Sequence, residues 1–423
     1  MSWSEILLDG EFSFAFAPQS DINTAGSSWT WIDSEWVQVT FDAAQTDVKR
    51  SLRSRGAASK VMSGRVWPRV TVRFPLVGQL AAYAYASDTP GLKGANGLLN
   101  FLGGSAALAY QAAGINPTDG NTVSCVSSTS KYGCLVAARE ASGLVTAMGF
   151  AKNITGAGPY TTDLFEDMRA QPGASTARIP TYNFFPSSTQ PSPLTLRITG
   201  EHASQEKRYI GCMLSKATIT FDADWRPYCN AEFIAYGGEV RGTSGGLFAG
   251  SGSVEECLAI EPLVERGGAR FVVGSNVFAT LADGTVDADG TCDVRDIEVT
   301  WDIPHYVATK PGGTQGVKEV LMRSPTISAA FTLPDISDFE VSGAHFAEEA
   351  WRNLTEVSFS MYLGDTPGRI FAANLPRLLV SGFPEVVQVD GARHRRIAGR
   401  CGHYSGDTAS TDAGNKVARF SLG

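Results

Sequence analysis

The best candidate for a catalytic nucleophile in this chain of 423 residues is Ser244, in the sequence Gly242-Thr-Ser-Gly-Gly246. This sequence matches the G-x-S-x-G pattern of a nucleophile elbow, in which a sharp turn from a strand into a helix exposes a serine hydroxyl. A plausible strand precedes Ser244, but the segment 245–252 is rich in glycine and a poor helix start. A serine hydrolase using Ser244 is therefore the minor alternative.

Other residue patterns that support chemistry are weak. None of the five histidines has the H-x-x-x-H spacing of a zinc-binding helix, and glycine patterns for phosphate or dinucleotide binding are missing. The carboxylate pairs Asp222/Asp224 and Glu255/Glu256 fall in strand or turn contexts, where a solvated face is commoner than an acid–base dyad. We therefore expect a protein that is not an enzyme and that uses no metal or cofactor.

The composition favours a β-rich protein that buries surface against neighbours. Charged residues make up 18% of the chain, there are 45 glycines, and the hydrophobic content of 43% is enough for a packed core. The net charge of −8 excludes a global basic field for nucleic-acid binding. No apolar stretch approaches the roughly 18 residues of a membrane span, and the N-terminus lacks the pattern of a signal peptide, so we expect synthesis in a cytoplasm. Seven scattered cysteines without a C-x-x-C pair favour free buried thiols.

Short alternating segments dominate the chain and predict half-buried strands. The segment 36–41 places Val37, Val39 and Phe41 on one face, and the segment 70–76 alternates in the same way. Helical patterns are few; the best of them is 92–113, and the shorter candidates are 163–171 and 344–353. The sequence thus predicts a mainly β fold of the sandwich or barrel class with one to three flanking helices.

Two blocks of sequence recur in the same order and suggest an internal duplication. Pro68–Leu76 lines up with Pro325–Leu333, since both read P-x-[VI]-[TS]-x-x-F-x-L. Arg208–Leu214 lines up with Arg369–Leu375. Chance similarity between strands is the alternative, because strands draw on few residue types, but two colinear blocks favour duplication.

The duplication implies two domains of unequal content. The spacing of the blocks gives the first copy a large insertion at about residues 79–175. A segment rich in glycine, serine and threonine at 240–255 is the best candidate boundary. We therefore predict one domain at residues 1–240 and a second at residues 241–423.

A long loop-like segment with a basic bias precedes each first block. The segments are 48–66 and 303–323, and their basic residues are Lys49, Arg50, Arg53, Arg55, Lys60 and Arg65 in the first and Lys310, Lys318 and Arg323 in the second. One interpretation is a solvated loop, and the other is an arm that reaches an acidic neighbouring copy of the chain. Recognition of single-stranded nucleic acid by residues 48–73 is poorly supported, because Trp67 is the one aromatic residue for base stacking in that segment.

The strand pattern resembles that of the tail tube proteins of long-tailed, siphovirus-type bacteriophages. The resemblance rests on Val70–Leu76 after a basic loop, on Arg208–Phe221, on Ala231–Gly237, and on the later segments 294–302 and 326–333. It covers most of the chain as a pattern of strands rather than as a short signature.

The resemblance implies tandem tail-tube-type domains, each a β-sandwich or barrel with a flanking helix, and no catalytic residues. Such proteins form stacked rings that conduct DNA during ejection, which implies a structural protein of the virion tail assembled in the host cytoplasm. With two domains per chain, a ring of three chains with pseudo-sixfold symmetry is favoured over a ring of six.

The partners that the resemblance implies are further copies of the chain, a tape-measure protein and a terminator protein, with DNA passing without specific binding and no membrane. We expect the basic residues of 48–66 and 303–323 to make contacts between rings. The alternative within the same class is another β protein of the virion, such as a baseplate, tail-terminator or capsid-decorating subunit.

Overall fold

The structure, a computed structural model, describes part of the chain. The described residues are 3–7, 12–32, 34–48, 60–78, 98, 112–115, 122–125, 135–139, 145–155, 160–164, 177–178, 182–184, 190–200, 206–221, 226–242, 258–259, 270–273, 276–279, 295–309, 317–334, 346–364, 366, 369–402 and 418–423.

Strands dominate these residues, as the alternating sequence pattern predicts. In the first half they are β1 (Trp3–Leu7), β2 (Phe12–Pro18), β3 (Thr30–Ile32), β4 (Trp36–Val48), β5 (Lys60–Pro75), β6 (Val77–Gly78), β7 (Ala112–Ile115), β8 (Thr122–Cys125), β9 (Leu135–Arg139), β10 (Val145–Thr155), β11 (Tyr160–Leu164), β12 (Ala177–Arg178), β13 (Tyr182–Phe184), β14 (Leu194–Gly200), β15 (Glu206–Phe221) and β16 (Pro227–Gly242).

The second half contains shorter strands and the α-helix of the described residues. They are β17 (Leu258–Ala259), β18 (Arg270–Val273), β19 (Asn276–Ala279), β20 (Arg295–Asp302), β21 (His305–Thr309), β22 (Val317–Met322), β23 (Thr326–Pro334), α1 (Phe346–Asn353), β24 (Glu356–Leu363), β25 (Phe371–Val380), β26 (Glu385–Val389), β27 (Ala392–Cys401) and β28 (Arg419–Leu422). The helix predicted at 344–353 is confirmed by α1, and the mainly β fold class is confirmed by the antiparallel sheets.

Five strands of the first half pair antiparallel in the order β4, β5, β16, β15 and β14. The hairpin of β15 and β16 is long, and its pairing runs from Glu206 opposite Gly242 to Phe221 opposite Pro227. Strand β1 pairs with the outer edge of β4. At the other end of the set, β2 pairs with the outer edge of β14, and β3 pairs with β2. We call the five-stranded set module one.

Five elements of the second half pair in the corresponding order β20, β23, β27, β25 and β24. Strand β28 continues β27 along the same edge of β25, since Cys401 lies opposite Leu378 and Arg419 lies opposite Asn374. We call this set module two. The two repeated sequence blocks therefore lie on equivalent strands, the first on β5 and β23 and the second on β15 and β25.

The two modules join into one sheet through β15 and β20. Their pairing is antiparallel and runs from Lys216 opposite Asp302 to Thr220 opposite Glu298. Strand β15 changes neighbour along this edge, from β14 to β20, after a bulge at Gly211. Gly211 has a φ of 65°, and a Cβ atom there would clash with the carbonyl oxygen of Ile22, so the bend requires glycine.

The joined sheet has one apolar and one polar face, because its side chains alternate with a period of two. Val37, Val39, Val70 and Phe74 are buried in the main core, as the sequence pattern predicts. The polar face carries three ion pairs, Arg73–Glu35 at 2.6 Å, Arg69–Glu232 at 2.5 Å and Arg396–Glu298 at 3.8 Å, the last of which spans β23 from β27 to β20. This face runs across both modules.

Strands β7 to β12 form a separate six-stranded sheet in the order β12, β9, β10, β11, β8 and β7. It overlaps the insertion expected at about 79–175, and it joins the main core through Leu135, Met148 and Phe150, with the ring of Phe150 5.8 Å from that of Tyr362. The helix predicted at 92–113 is wrong at its end, which lies in β7, and the helix predicted at 163–171 is wrong at its start, which lies in β11. Apart from Leu98, the rest of both segments lies outside the described residues. Gly114 weakens a helix at residues 112–113, and β7 pairs instead with β8.

The predicted boundary between residues 240 and 241 falls near the end of β16, which is at Gly242. The domain limits themselves remain a prediction.

Candidate assembly interface

Each of the two basic segments belongs to a hairpin that extends from its module. We call the outer part of the β4–β5 hairpin the first arm and the β21–β22 hairpin the second arm. In the first arm, the outer part of β4 pairs with the outer part of β5, as far as Val48 opposite Lys60. In the second arm, β21 pairs with β22, from His305 opposite Met322 to Thr309 opposite Val317. The expectation of loops is therefore wrong for residues 60–66, 305–309 and 317–322, because cross-strand pairing satisfies their backbone groups.

The structure places some of the predicted basic residues on these arms. Lys60 and Arg65 lie on β5, and Lys318 is exposed on β22. The guanidinium of Arg323 lies 5.9 Å from the ring centre of Tyr306, on the exposed side of the second arm. The others, Lys49, Arg50, Arg53, Arg55 and Lys310, lie outside the described residues.

The second arm packs against module one through a small apolar core of its own. Val317 and Val320 of β22 are buried against Ile22, Met213 and Tyr236. The side chain of Gln190 forms two hydrogen bonds with the backbone of the same strand. Its amide nitrogen donates to the carbonyl oxygen of Val320 at 2.7 Å, and its oxygen accepts from the backbone N–H of Met322 at 3.1 Å. One side of the arm is thus fixed to the body, and the other side is exposed.

His305 connects the base of this arm to module one. Its Nε2 lies 2.8 Å from the carbonyl oxygen of Leu214, and its Nδ1 lies 2.8 Å from the hydroxyl of Tyr236. Because a carbonyl oxygen only accepts, Nε2 carries the proton, and in the neutral ring Nδ1 accepts from the tyrosine hydroxyl. This arrangement is compatible with the neutral imidazole, with one nitrogen donating and the other accepting.

Burial favours the neutral form of His305. Burial lowers the pKa of His305 below its usual value of 6.5, the positive charge of Arg69 lowers it further, and the hydrogen bond to Leu214 opposes both. Burial also raises the pKa of Tyr236 to about 12, against an opposing effect of Arg69, so the hydroxyl keeps its proton and donates. Sequence reasoning missed this pair, because a lone histidine after a proline carries no distinguishing pattern.

A half-open cleft of about 650 Å³ lies where the two arms leave the sheet. Trp67 and Arg69 line it from β5, and His305 lines it from β21. The hydroxyl of Ser215 lies 2.8 Å from a carboxylate oxygen of Glu232, the same residue that pairs with Arg69. Arg69 and Glu232 therefore neutralise each other in this wall.

Besides Val240 and Leu354, large apolar side chains are exposed on the second arm and at β26, which sequence patterns did not single out. On the second arm, Tyr306 lies opposite Leu321, and they are 51% and 41% exposed. Beside β26, Phe383 is 51% and Val386 45% exposed, and the ring of Phe383 contacts that of Trp351 at 5.4 Å. Exposed apolar groups at protruding elements are typical of surfaces that bind another protein.

The structure adds little to the candidates for catalysis. Ser244 lies outside the described residues, and across the described ranges no three histidine, cysteine or acidic side chains come together as a metal site. Cys212 and Cys229 are free and buried, and burial raises the pKa of both thiols, which makes them weak nucleophiles. Among the helices of the described residues, none is long and apolar enough to cross a membrane.

Comparison of the chain with known families finds no family model that matches, and comparison with curated proteins finds no match.

Proposed function

We propose that this protein is a structural subunit that closes into rings and that the rings stack into the tail tube of a long-tailed bacteriophage. The observation that carries the proposal is the recurrence of one strand order, β4-β5-β16-β15-β14 and β20-β23-β27-β25-β24, in two modules that one sheet connects. One chain thus already holds two neighbouring units of a repeating sheet.

A ring follows from repeating the joint between β15 and β20. If each module meets the next one as module one meets module two, successive copies extend the sheet until it closes. Closure removes the open edges that would otherwise invite uncontrolled pairing. Three chains supply six modules, which is the pseudo-sixfold ring that we favour over a ring of six chains.

The polar face of the sheet suits the wall of a water-filled channel. The apolar face is buried in the core, whereas Lys216, Thr218 and Thr300 on the other face remain at least partly exposed. On this face Arg69, Arg73 and Arg396 each lie within 4 Å of a carboxylate. Neutralised cations give a passing DNA strand few sites at which to bind.

The arms suit contact between stacked rings. They leave the sheet beside the same cleft, and the second presents Tyr306, Leu321 and the cations Lys318 and Arg323 on its exposed side. An apolar pair flanked by cations is complementary to an acidic surface on another copy of an acidic protein.

Negative-stain electron microscopy of the purified full-length chain tests the proposal. We expect long hollow filaments of uniform diameter. Single subunits at all concentrations would overturn the proposal, and discrete rings that never stack would favour a tail terminator or baseplate subunit instead.

A further inference from the structure

The edge of β4 is the counterpart of the edge of β20 that joins the two modules. Strand β20 pairs with β23, with Val299 opposite Ala329 and Trp301 opposite Ile327. In module one, β4 pairs with β5 in the equivalent register, with Val37 opposite Val72 and Val39 opposite Val70. The aligned sequence blocks equate Val70 with Ile327 and Val72 with Ala329. Val37 and Val39 are therefore the counterparts of Val299 and Trp301.

Strand β1 occupies on β4 the place that β15 occupies on β20. Leu7 lies opposite Val37, and Ser4 lies opposite Thr40, in an antiparallel pair. In the joint between the modules, Ile219 lies opposite Val299, and Lys216 lies opposite Asp302, also antiparallel. The first pair of positions matches the second residue for residue. The edge of β20 in module two thus pairs with a strand of the other module, whereas the equivalent edge of β4 in module one pairs with β1.

The complementary edge lies open at the far end of the same sheet. Strands β25 and β26 pair in succession with β27, so together they are the counterpart of β15, which pairs with β16 along its whole length. Among the described residues, β26 pairs with β27 alone, and its other edge has no neighbouring strand. The two-residue turn at Asp390 and Gly391 directs the amides of Val387 and Val389 toward β27 and those of Val386 and Gln388 outward. Val386 and the adjoining Phe383 are the exposed apolar residues of this region.

From these matches we infer that β1 is an exchangeable cover and that the β26 edge of a second copy replaces it on β4 when a ring forms. The inference rests on the proposed function and names its joint between chains. The intrachain joint supplies the geometry, because an antiparallel strand at this register is what β20 already accepts. Both β1 and the incoming strand run antiparallel to β4, so the two compete for one set of backbone groups.

A reversible tether tests the exchange. The double variant Ser4→Cys/Thr40→Cys places two thiols directly opposite each other, and oxidation then locks β1 onto β4. The matched control is Lys216→Cys/Asp302→Cys, which places two thiols at the corresponding position of the joint within the chain. Sedimentation and electron microscopy follow the assembly of each protein, oxidised and then reduced.

We expect the oxidised Ser4→Cys/Thr40→Cys chain to stay single and to form rings after reduction, whereas the control assembles in both states. If the wild-type chain assembles and the oxidised tethered chain assembles equally well, the inference fails while the proposed function stands. If the wild-type chain never assembles, both fail.

A second variant examines the open edge independently. Gln388→Pro removes an outward amide from β26, and an edge strand tolerates proline. We expect this variant to fold and to lose ring formation, whereas Gln388→Thr keeps the amide and assembles. Rings formed by Gln388→Pro as readily as by the wild-type chain would overturn the assignment of this edge.

Discussion

Thr218 and Thr300 face each other across the joint between the two modules, with their hydroxyl oxygens 3.2 Å apart. In the adjacent residue pair of the same joint, Ala217 lies opposite Trp301 on the buried side of the sheet. The indole of Trp301 packs against Phe420, with 4.5 Å between ring centroids. The joint therefore belongs to the hydrophobic core as well as to the hydrogen-bonded sheet, and the two modules are expected to unfold together.

Substitution of Trp301 tests this coupling. Trp301→Ala is expected to lower the free energy of unfolding by about 3–5 kcal/mol, because it removes a fully buried aromatic side chain and leaves a cavity. The control is Thr300→Ala, because the Thr300 side chain is half-buried on the polar face. This substitution is expected to lower the free energy of unfolding by about 1 kcal/mol or less. Urea unfolding followed by tryptophan fluorescence and circular dichroism measures both. Two well-separated transitions in the wild-type protein would refute the coupling.

The ion pair between Arg197 and Glu206 predicts a second large effect. The two side chains are 2% and 0% exposed and lie 3.1 Å apart, and Glu206 also contacts Arg208. Glu206→Gln removes the buried carboxylate, and we expect a loss of about 3–5 kcal/mol. The control Glu232→Gln acts on the more exposed pair with Arg69, for which about 0–1 kcal/mol is expected. Equal losses in chemical denaturation would show that burial does not decide the strength of these pairs.

His305 predicts that the stability of the protein depends on pH. Since burial lowers its pKa in the folded state, the unfolded chain binds a proton at a higher pH than the folded chain does. The stability contributed by the neutral ring is complete above the usual pKa of 6.5 and is lost as the pH falls through the lowered pKa. The free energy of unfolding of the wild type and of His305→Gln is compared from about pH 8 to about pH 5. We expect the advantage of the wild type to shrink toward low pH, and a constant difference would contradict the assignment.

Charge reversal on the arms tests their role between rings. The triple variant of Arg50, Arg53 and Arg55 to glutamate is expected to block elongation of tubes while leaving the fold and single rings intact. Lys318→Glu with Arg323→Glu makes the same test on the second arm, where both side chains are exposed. Filament length by electron microscopy is the measurement. Tubes of normal length from both variants would show that the arms do not hold rings together.

The sequence predicted those parts of the fold that depend on local alternation. Val37, Val39, Val70 and Phe74 are buried because a strand with one covered face places every second side chain in the core. The repeated blocks predicted equivalent strands, since equivalent positions in a sheet select similar residues. The helix α1 was predicted because Phe346, Ala350 and Trp351 lie at helical spacing.

The pairing between strands that are distant in the chain could not be predicted from the sequence. Nothing in Lys216–Thr220 specifies β20 as its neighbour, because polar and apolar residues alternate in the same way in many strands. The arms were expected as loops for two reasons. Their basic residues are typical of solvated loops, and the spacing of Val317 and Val320 is not the alternation that predicts a strand. The pair of His305 and Tyr236 depends on packing between strands that are distant in sequence.

The number of chains in an isolated ring tests the central claim most directly. Native mass spectrometry of rings, formed by the wild-type chain under conditions that limit stacking, counts the copies without reference to any interpretation of the sheet. Two equivalent modules per chain predict three copies. A ring of six copies would contradict the equivalence of the modules, since one module in each chain would then lie outside the wall.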